Sequence, residues 1–465
     1  MSGFSSLNTA VTGLAAAQRA MDVAGQNIVN ANTPGYSRQR AELQEIGLPA
    51  TATLFTGTGA SVGGVTVSGV TRIKDAFVEA ARAAAGGRQA ALSSQTDELT
   101  GVQQQFAEPG DTGLQASMDS FYSAWHDLAN NPTDVAAGSV VIQRGIAVTD
   151  QLHSLSNGIA GQWGIARSAL ADVLSQANQA AKDLADVNAK ISAGLVAGRP
   201  VNELEDQRDT LARSLATLVG GSASIGSDGQ VSVTVSGVAL VSGSTAQQFT
   251  LAGATTIGAA GTDPPRLMWG TTVVPVDSGS AAGYLAVLGS DLPSLSARLD
   301  TVATSLRDMV NAVHQTGFQA DGTPGGVFFD GTDAQSLTVV PTSPGQLAVT
   351  PAAGTVDGSI ALQIGDLSDE MAQQTQLGGT GPTAQWRDLT TMLGVKVQSL
   401  QNAGKVQDSV VAAADAAVET DSGVNLDEEM TTLLQFQRSY QASARVVTTV
   451  DSILDTLINH TGLTA

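Results

Sequence analysis

IVNANTPGYSRQR, Ile28 to Arg40, is the stretch that sets the course of the chain. Ahead of it, Leu7, Leu14, Met21 and Ile28 fall seven residues apart with Val11 between the first two, the spacing of one apolar helix stripe. That helix has to stop near Asn30. Asn tolerates the left-handed conformation that closes a helix, and Pro34 followed by Gly35 suits a turn in which Pro presets φ and Gly takes φ > 0. Locally the sequence predicts a helix, a hard turn and then an extended arm.

The far end carries a matching pattern. In SGVNLDEEMTTLLQFQRSYQASARVVTTVDSILDTLI, Ser422 to Ile458, Asn425 and an acidic first turn suit a helix N-terminus opening at Leu426. Leu433, Tyr440, Val447 and Leu454 then fill one seam position, and Phe436, Val450 and Leu457 the other, with Ser443 as a polar exception. The simplest geometry pairs the two ends, residues 1–40 and 424–465, as a coiled coil. Two ordinary amphipathic helices packed on one globular core would show the same pattern.

Between the ends, Leu170, Ala177, Leu184 and Ile191 repeat at seven, the run breaks at Gly198 to Pro200, and Val201, Leu204, Leu211, Leu215 and Leu218 resume it. This predicts an antiparallel helical hairpin. Gly221 to Gly283 is rich in Gly, Ser and Thr and alternates at Val231, Val233 and Val235, as a small β domain would. The helix period returns through Leu288, Leu292, Leu295, Leu299, Val302, Leu306, Met309 and Val313. A Gly- and Pro-rich passage follows to about Asp366, and Trp386 to Val418 is helical again. The expected class is mainly α with an inserted β domain. A helical-bundle domain, residues 41–220 and 284–423, is nested between the paired ends, and the β domain, residues 221–283, is nested within it.

At 465 residues the chain has room for about three domains. Acidic residues outnumber basic ones 43 to 22, a formal charge of -21, so nucleic acid and anionic membrane surfaces would repel it. The absence of Cys removes disulfides, thiolate metal sites and thiol catalysis. The opening MSGFSSLNTAVTGLAAAQRA lacks a basic region and an unbroken apolar core, so export would need a route that reads no hydrophobic leader.

Catalytic motifs are weak. GASVG, Gly59 to Gly63, matches a nucleophile elbow around Ser61, but Val65, Val67 and Val70 continue as a strand where an elbow needs a helix. His126, His153, His314 and His460 are scattered, in no ligand-pair spacing, and each is expected to be a surface or partly buried polar residue. Asp321, Asp330 and Asp333 lack the alternation of a calcium loop and read as turns around a Phe328–Phe329 anchor. NELEDQRD, Asn202 to Asp209, is expected to be a solvated helix surface with pairs such as Glu205 and Arg208.

Against this background, NIVNANTPGYSRQR resembles the N-terminal motif shared by bacterial flagellar rod, hook and hook-associated proteins. The segment from Ser422 to Ile458 is similar to the C-terminal motif of that axial family. GTGASVGGVTVSGVTRIKDAFV, FYSAWHDLANNPTD, VNAKISAGLVAGRPVNELEDQRDTL, VSVTVSGVALVSG and VNAVHQTGFQADGTPGGVFF resemble the members at the hook–filament junction. One departure stands out: after ANNPTD such proteins continue with an Arg-led helix, whereas here Gly138 stands near that place and Arg144 comes later.

The resemblance implies a structural subunit with no enzyme activity and no cofactor. It implies passage as an unfolded, uncleaved chain through the flagellar type III channel to the extracellular flagellum, with a chaperone on Val424 to Ile458. Its partners would be further copies in a ring-like or helical layer, the hook protein, and the next hook-associated junction protein. Assembly would run through Leu7, Val11, Leu14, Met21 and Ile28 on the first helix and Leu426, Leu433, Phe436, Tyr440, Val447, Val450, Leu454 and Leu457 on the last. Asn27, Asn30, Asn32, Pro34, Gly35 and Tyr36 would fix the bend between tube and arm. A hook or filament subunit is the alternative within the class; an adhesin using the Ser/Thr-rich insert, or a hydrolase using Ser61, lies outside it. The residues before about Arg40 and after about Gly423 are expected to become helical only on assembly, because a half-covered seam does not offset the ordering of two long helices.

Overall fold

The computed structural model describes residues 3–46, 63–106, 108, 110–226 and 228–460. Ser61 lies outside them. Helix α1 (Gly3–Asn30) ends at the expected residue. The turn after it is held by Thr33 N–H on Asn30 O (2.9 Å) and Tyr36 N–H on Thr33 O (3.1 Å), with Gly35 at φ +83°. The arm is a two-stranded antiparallel hairpin, β1 (Gln39–Glu45) and β2 (Val65–Arg72), laid along α1.

The bundle is built from α2 (Ala76–Phe106), α3 (Leu114–Asn130), α4 (Val135–Val196) and α5 (Asn202–Val219). Helices α4 and α5 form the predicted hairpin, but α4 has 62 residues and starts well ahead of Leu170. The Asp134 carboxylate caps it by accepting from Ala136 N and Ala137 N. Gly138 is buried in its first turns, where a Cβ would lie 2.8 Å from Pro344 Cβ. The glycine that departs from the resembled pattern therefore admits the 344–347 segment against α4.

The strands between α5 and residue 274 gather into two small sheets. The first is β3 (Ser222–Ile225), β4 (Val231–Val235), β5 (Val238–Ser242) and β6 (Thr245–Ala246); the second is β7 (Thr250–Ala252), β8 (Arg266–Trp269) and β9 (Thr272–Val274). The short α6 (Ile257–Ala260) lies between β7 and β8. Val231, Val233 and Val235 alternate inward and join the apolar core that α4 and the helices after the insert share. Two asparagines of α4 seat the strands. Asn188 donates to Val231 O (2.8 Å) and accepts from Val231 N (3.0 Å), and Asn178 brackets Phe249 in the same way at 2.9 Å.

Helix α7 (Ser280–Ala286) passes through a π-helical turn (Val287–Asp291) into α8 (Leu292–His314). The stripe from Leu292 through Leu295, Leu299, Val302, Leu306 and Met309 is buried along α8. The short strands β10 (Phe329–Asp330) and β11 (Thr338–Val339) pair beyond it, with Phe328 and Phe329 fully buried against Phe121. Helices α9 (Ser359–Gly365), α10 (Glu370–Leu377), α11 (Pro382–Ser422) and α12 (Leu426–Asp455) complete the chain. Asn425 caps α12, accepting from Asp427 N and Glu428 N.

His314 is more deeply buried than the surface or partly buried position expected of it. It is fully buried; its Nε2 accepts from Ala348 N (3.0 Å), so Nδ1 carries the proton and donates to Gly326 O (2.8 Å). Burial pushes its pKa down and keeps the ring neutral. Asp321 and Asp333 accept from Thr323 and Ser336 within their own turns. Among the described residues no cluster of His, Asp and Glu could hold a metal ion, and no helix is long and apolar enough to cross a membrane.

Candidate assembly site

Helices α1 and α12 lie antiparallel. Gly13 stands opposite Ser443, where a Cβ would come 3.2 Å from Ser443 Oγ, and Asn27, two heptads further along α1, meets Glu429, two heptads back along α12. The buried line of α1 is made of small residues: Ala10, Ala16, Ala17, Ala20, Val23, Ala24 and Asn27. Leu7, Leu14, Met21 and Ile28 are half-buried, and Val11 is 50% exposed. On α12, Val450 is buried and Leu433, Phe436, Tyr440, Val447 and Leu454 are half-buried on one stripe, while Leu426 is 49% exposed. The Leu457 side chain lies outside the described residues. Ser443, polar in an apolar seam, owes its place to its size, since a larger side chain would collide with Gly13 and push the helices apart.

Asn27 is the hub of the bend. Fully buried, it donates from Nδ2 to Gln39 O (2.9 Å) and Glu429 Oε2 (3.0 Å) and accepts on Oδ1 from Gln39 N (3.0 Å) and the Tyr36 hydroxyl (2.8 Å). One amide thus satisfies its full hydrogen-bonding capacity and joins α1, the turn, β1 and α12. Arg38 reinforces the joint with Nε on Glu429 (2.7 Å), a second nitrogen on Glu428 (2.9 Å) and its backbone N–H on Ser422 O (3.1 Å). Burial, and then the charges of Asp206, Glu429 and Glu203, push the Tyr36 phenol up to about 12, so it stays a neutral donor.

The other turn residues divide by role. Asn30 donates to Gln26 O and accepts from Thr33 Oγ1, tying off the helix end; Asn32 and Pro34 are exposed. At Gly35 both the positive φ and a Cβ position only 2.7 Å from Thr210 Oγ1 require glycine, because the turn rests directly on α5.

NELEDQRD is helical with the expected Glu205–Arg208 pair (3.8 Å), but it is not a solvated surface. Its acids point at the arm: Arg72 meets Glu205 (3.0 Å), Asp206 (2.6 Å) and Asp209 (3.0 Å), and Lys74 meets Asp209 (2.6 Å). Arg208 is buried, bound to Asp209 (2.9 Å) and to Gly229 O (2.6 Å). Burial would raise the Asp209 carboxyl, but the Arg208 hydrogen bond and the charges of Lys74, Arg208 and Arg72 outweigh it and hold the group at about 2. Asn202 adds neutral bonds to Gln39 Oε1 (3.0 Å) and Val70 O (3.1 Å). The start of α5 is therefore a clamp on the base of the hairpin, a role that no local pattern revealed because the cations stand some 130 residues earlier.

Residues 7–36 match the family model described as flagella basal body rod protein, and residues 418–460 that of the flagellar basal body rod FlgEFG protein C-terminal. These matches cover α1 with its turn and α12, the two elements that the structure brings together, and they set the chain among flagellar axial proteins. Residues 99–329 match the flagellar hook-associated protein FlgK helical domain. The chain is 27% identical to flagellar hook-associated protein 1 of Bacillus subtilis (strain 168) over 503 residues, covering 99% of each chain. It is 28% identical to flagellar hook-associated protein 1 of Escherichia coli (strain K12) over 558 residues, covering 97% of this chain and 99% of the relative. The chain is thus similar to flagellar hook-associated protein 1 over nearly its whole length. In fold it is similar to the flagellar hook junction protein FlgK from Burkholderia pseudomallei, with a TM-score of 0.64, 14% identity, and cover of 72% of this chain and 98% of that one.

Proposed function

We propose that this structural subunit of the flagellum forms the layer between hook and filament. Copies of the chain would associate side by side through the α1–α12 pair to continue the inner tube, with the hook protein beneath and the next hook-associated protein above. The chain would travel to that position unfolded through the type III channel, with a chaperone holding Val424 to Ile458 until export. One observation carries this reading: the two ends form a single antiparallel pair locked at Asn27 to the arm, yet on α12 only Glu429 and Val450 are buried among the described side chains. Leu426, Met430, Leu434, Val446 and Ile453 stay close to half exposed, an apolar surface that neighbouring copies would cover.

The test mixes purified protein with isolated hook stubs. A short layer that then stops growing is expected. Continuous growth would make the chain a filament or hook subunit instead, and no addition at all would remove the assembly role.

A further inference from the structure

The bundle carries a transverse belt that bears no relation to the assembly site. It is marked by Gln162 of α4 donating to Glu98 of α2, Trp163 Nε1 donating to Leu288 O (2.9 Å), and Asp291 receiving both Gln95 (2.6 Å) and Lys396 (3.6 Å). Every helix crossing this level is weakened there. Helix α4 has Gly158, Gly161 and Gly164; α2 has Gly101 beside Gln162; α11 has Gly394 beside Gln103; and the α7–α8 passage is the π-helical turn containing Gly289.

Packing demands only one of these glycines, Gly158, where a Cβ would collide with Gln105 Oε1 at the end of a flexible side chain. A Cβ at Gly161 or Gly164 would meet nothing within 4 Å, and at Gly101, Gly289 and Gly394 it would make ordinary contacts of 3.4, 3.8 and 3.9 Å. Several glycines elsewhere in the same helices are demanded by packing: Cβ atoms at Gly87, Gly138 and Gly145 would fall 2.8, 2.8 and 3.0 Å from Ala216 O, Pro344 and Phe328, whereas Gly404 of α11 is open. Glycine inside a helix is the poorest ordinary helix former, and π turns and glycines are where helices bend. The layers on either side are apolar, with Leu155 and Ile159 above and Ala166 and Leu170 below.

We infer that the helical domain is articulated at this belt and flexes there as a mechanical joint, with α4 as its spine. The half carrying α3 and the 317–349 segment moves against the half carrying α5 and the two sheets. The joint is a property of the single chain, and it stands whether or not the junction reading holds.

Amide hydrogen exchange on the purified full chain tests this, with rates corrected for sequence. Residues 158–168 are expected to exchange at least about tenfold faster than residues 141–152 and 170–187 of the same helix. Gly161→Ala with Gly164→Ala, on an exposed face with open space, should slow that exchange by about fivefold per glycine and leave the flanks unchanged. Gly404→Ala, at an equally open helical glycine away from the belt, should leave the belt as it is. The natural lack of Cys also allows paired spin labels at Gln143 and Ser175, which should give a broad distance distribution that narrows in the double variant. Equal protection along α4, slowing spread evenly over the domain, or a narrow distribution in the natural chain would each overturn the joint.

Discussion

Asn27 and Glu429 stand 402 residues apart in sequence and meet at 3.0 Å in the buried centre of the bend. Through this contact the chain's two ends and its arm share one hydrogen-bond network, so the angle at which the arm leaves the terminal pair is set by a single amide. Asn27→Ala would leave the Gln39 backbone and the Tyr36 hydroxyl without partners, at about 1–3 kcal/mol for each group that stays buried. Asn27→Asp should do at least as much harm, because it sets a second carboxylate against Glu429. The Gln39 amide, bonded to Asn27 Oδ1, reports directly: its exchange in assembled material should accelerate more than tenfold in both variants, and addition to hook stubs should fall in parallel. Normal stub addition by Asn27→Ala would show that the hub does not govern assembly.

The clamp on α5 predicts an acid response. Asp209 is held at about 2, below the 3.8 of an ordinary aspartate, so the folded chain binds its proton less readily than the unfolded chain does. Its stabilisation is complete above pH 4 and is lost as the pH falls from about 4 to about 2, an effect on the order of 2 kcal/mol. Denaturant unfolding at pH 5 and pH 2.5 should show that loss in the natural chain. Asp209→Asn should be weaker at pH 5 and lose less on acidification; an equal acid response in the variant would place the titration elsewhere.

Gly35→Ala has two separable costs. One is the positive φ, about 1–2 kcal/mol for a residue with a Cβ; the other is the collision with Thr210 Oγ1 at 2.7 Å. Combining it with Thr210→Ala should relieve the collision and leave the backbone strain, so the double variant should recover part of the lost thermal stability. Simple addition of the two single effects would mean that the turn does not press on α5.

Much of this architecture was legible where large side chains supply contrast. Phe436 and Tyr440 mark the inward stripe of α12 because their neighbours are polar, and the seven-residue step from Tyr440 carries the stripe on to Val447 and Leu454. Helix α1 is harder to read: its line of closest contact runs through Ala10, Ala17, Ala20 and Ala24, and the larger Leu14 and Met21 beside it dominate the period. The first half of α4 was hidden for a related reason, since Gly138 and Gly145 break its apolar rhythm while serving as close contacts for Pro344 and Phe328. Arg72 with Asp206 and Asn27 with Glu429 are tertiary partners, and local periodicity carries no information about them.

The terminal pair should fold only when neighbours cover it. Helix α1 buries mostly alanines, which contribute little apolar area each, and α12 leaves Leu426, Met430 and Leu434 near half exposure. Against this small gain stands the backbone entropy of ordering two helices of 28 and 30 residues, at about 1–2 kcal/mol per residue. Helix hydrogen bonds, net about 1 kcal/mol each, offset only part of that, so the pair in isolation is marginal and folding is coupled to binding. An unfolded pair also keeps the chain threadable and stops copies polymerising before export. In the purified monomer, amides from Leu7 to Ile28 and from Leu433 to Leu457 should exchange within seconds, whereas Leu184 and Leu211 in the α4–α5 hairpin remain protected. After addition to hook stubs the terminal amides should become as slow as the hairpin. Protection of both ends to the hairpin's level in the monomer would mean that the pair is stable by itself and that assembly adds contacts without driving folding.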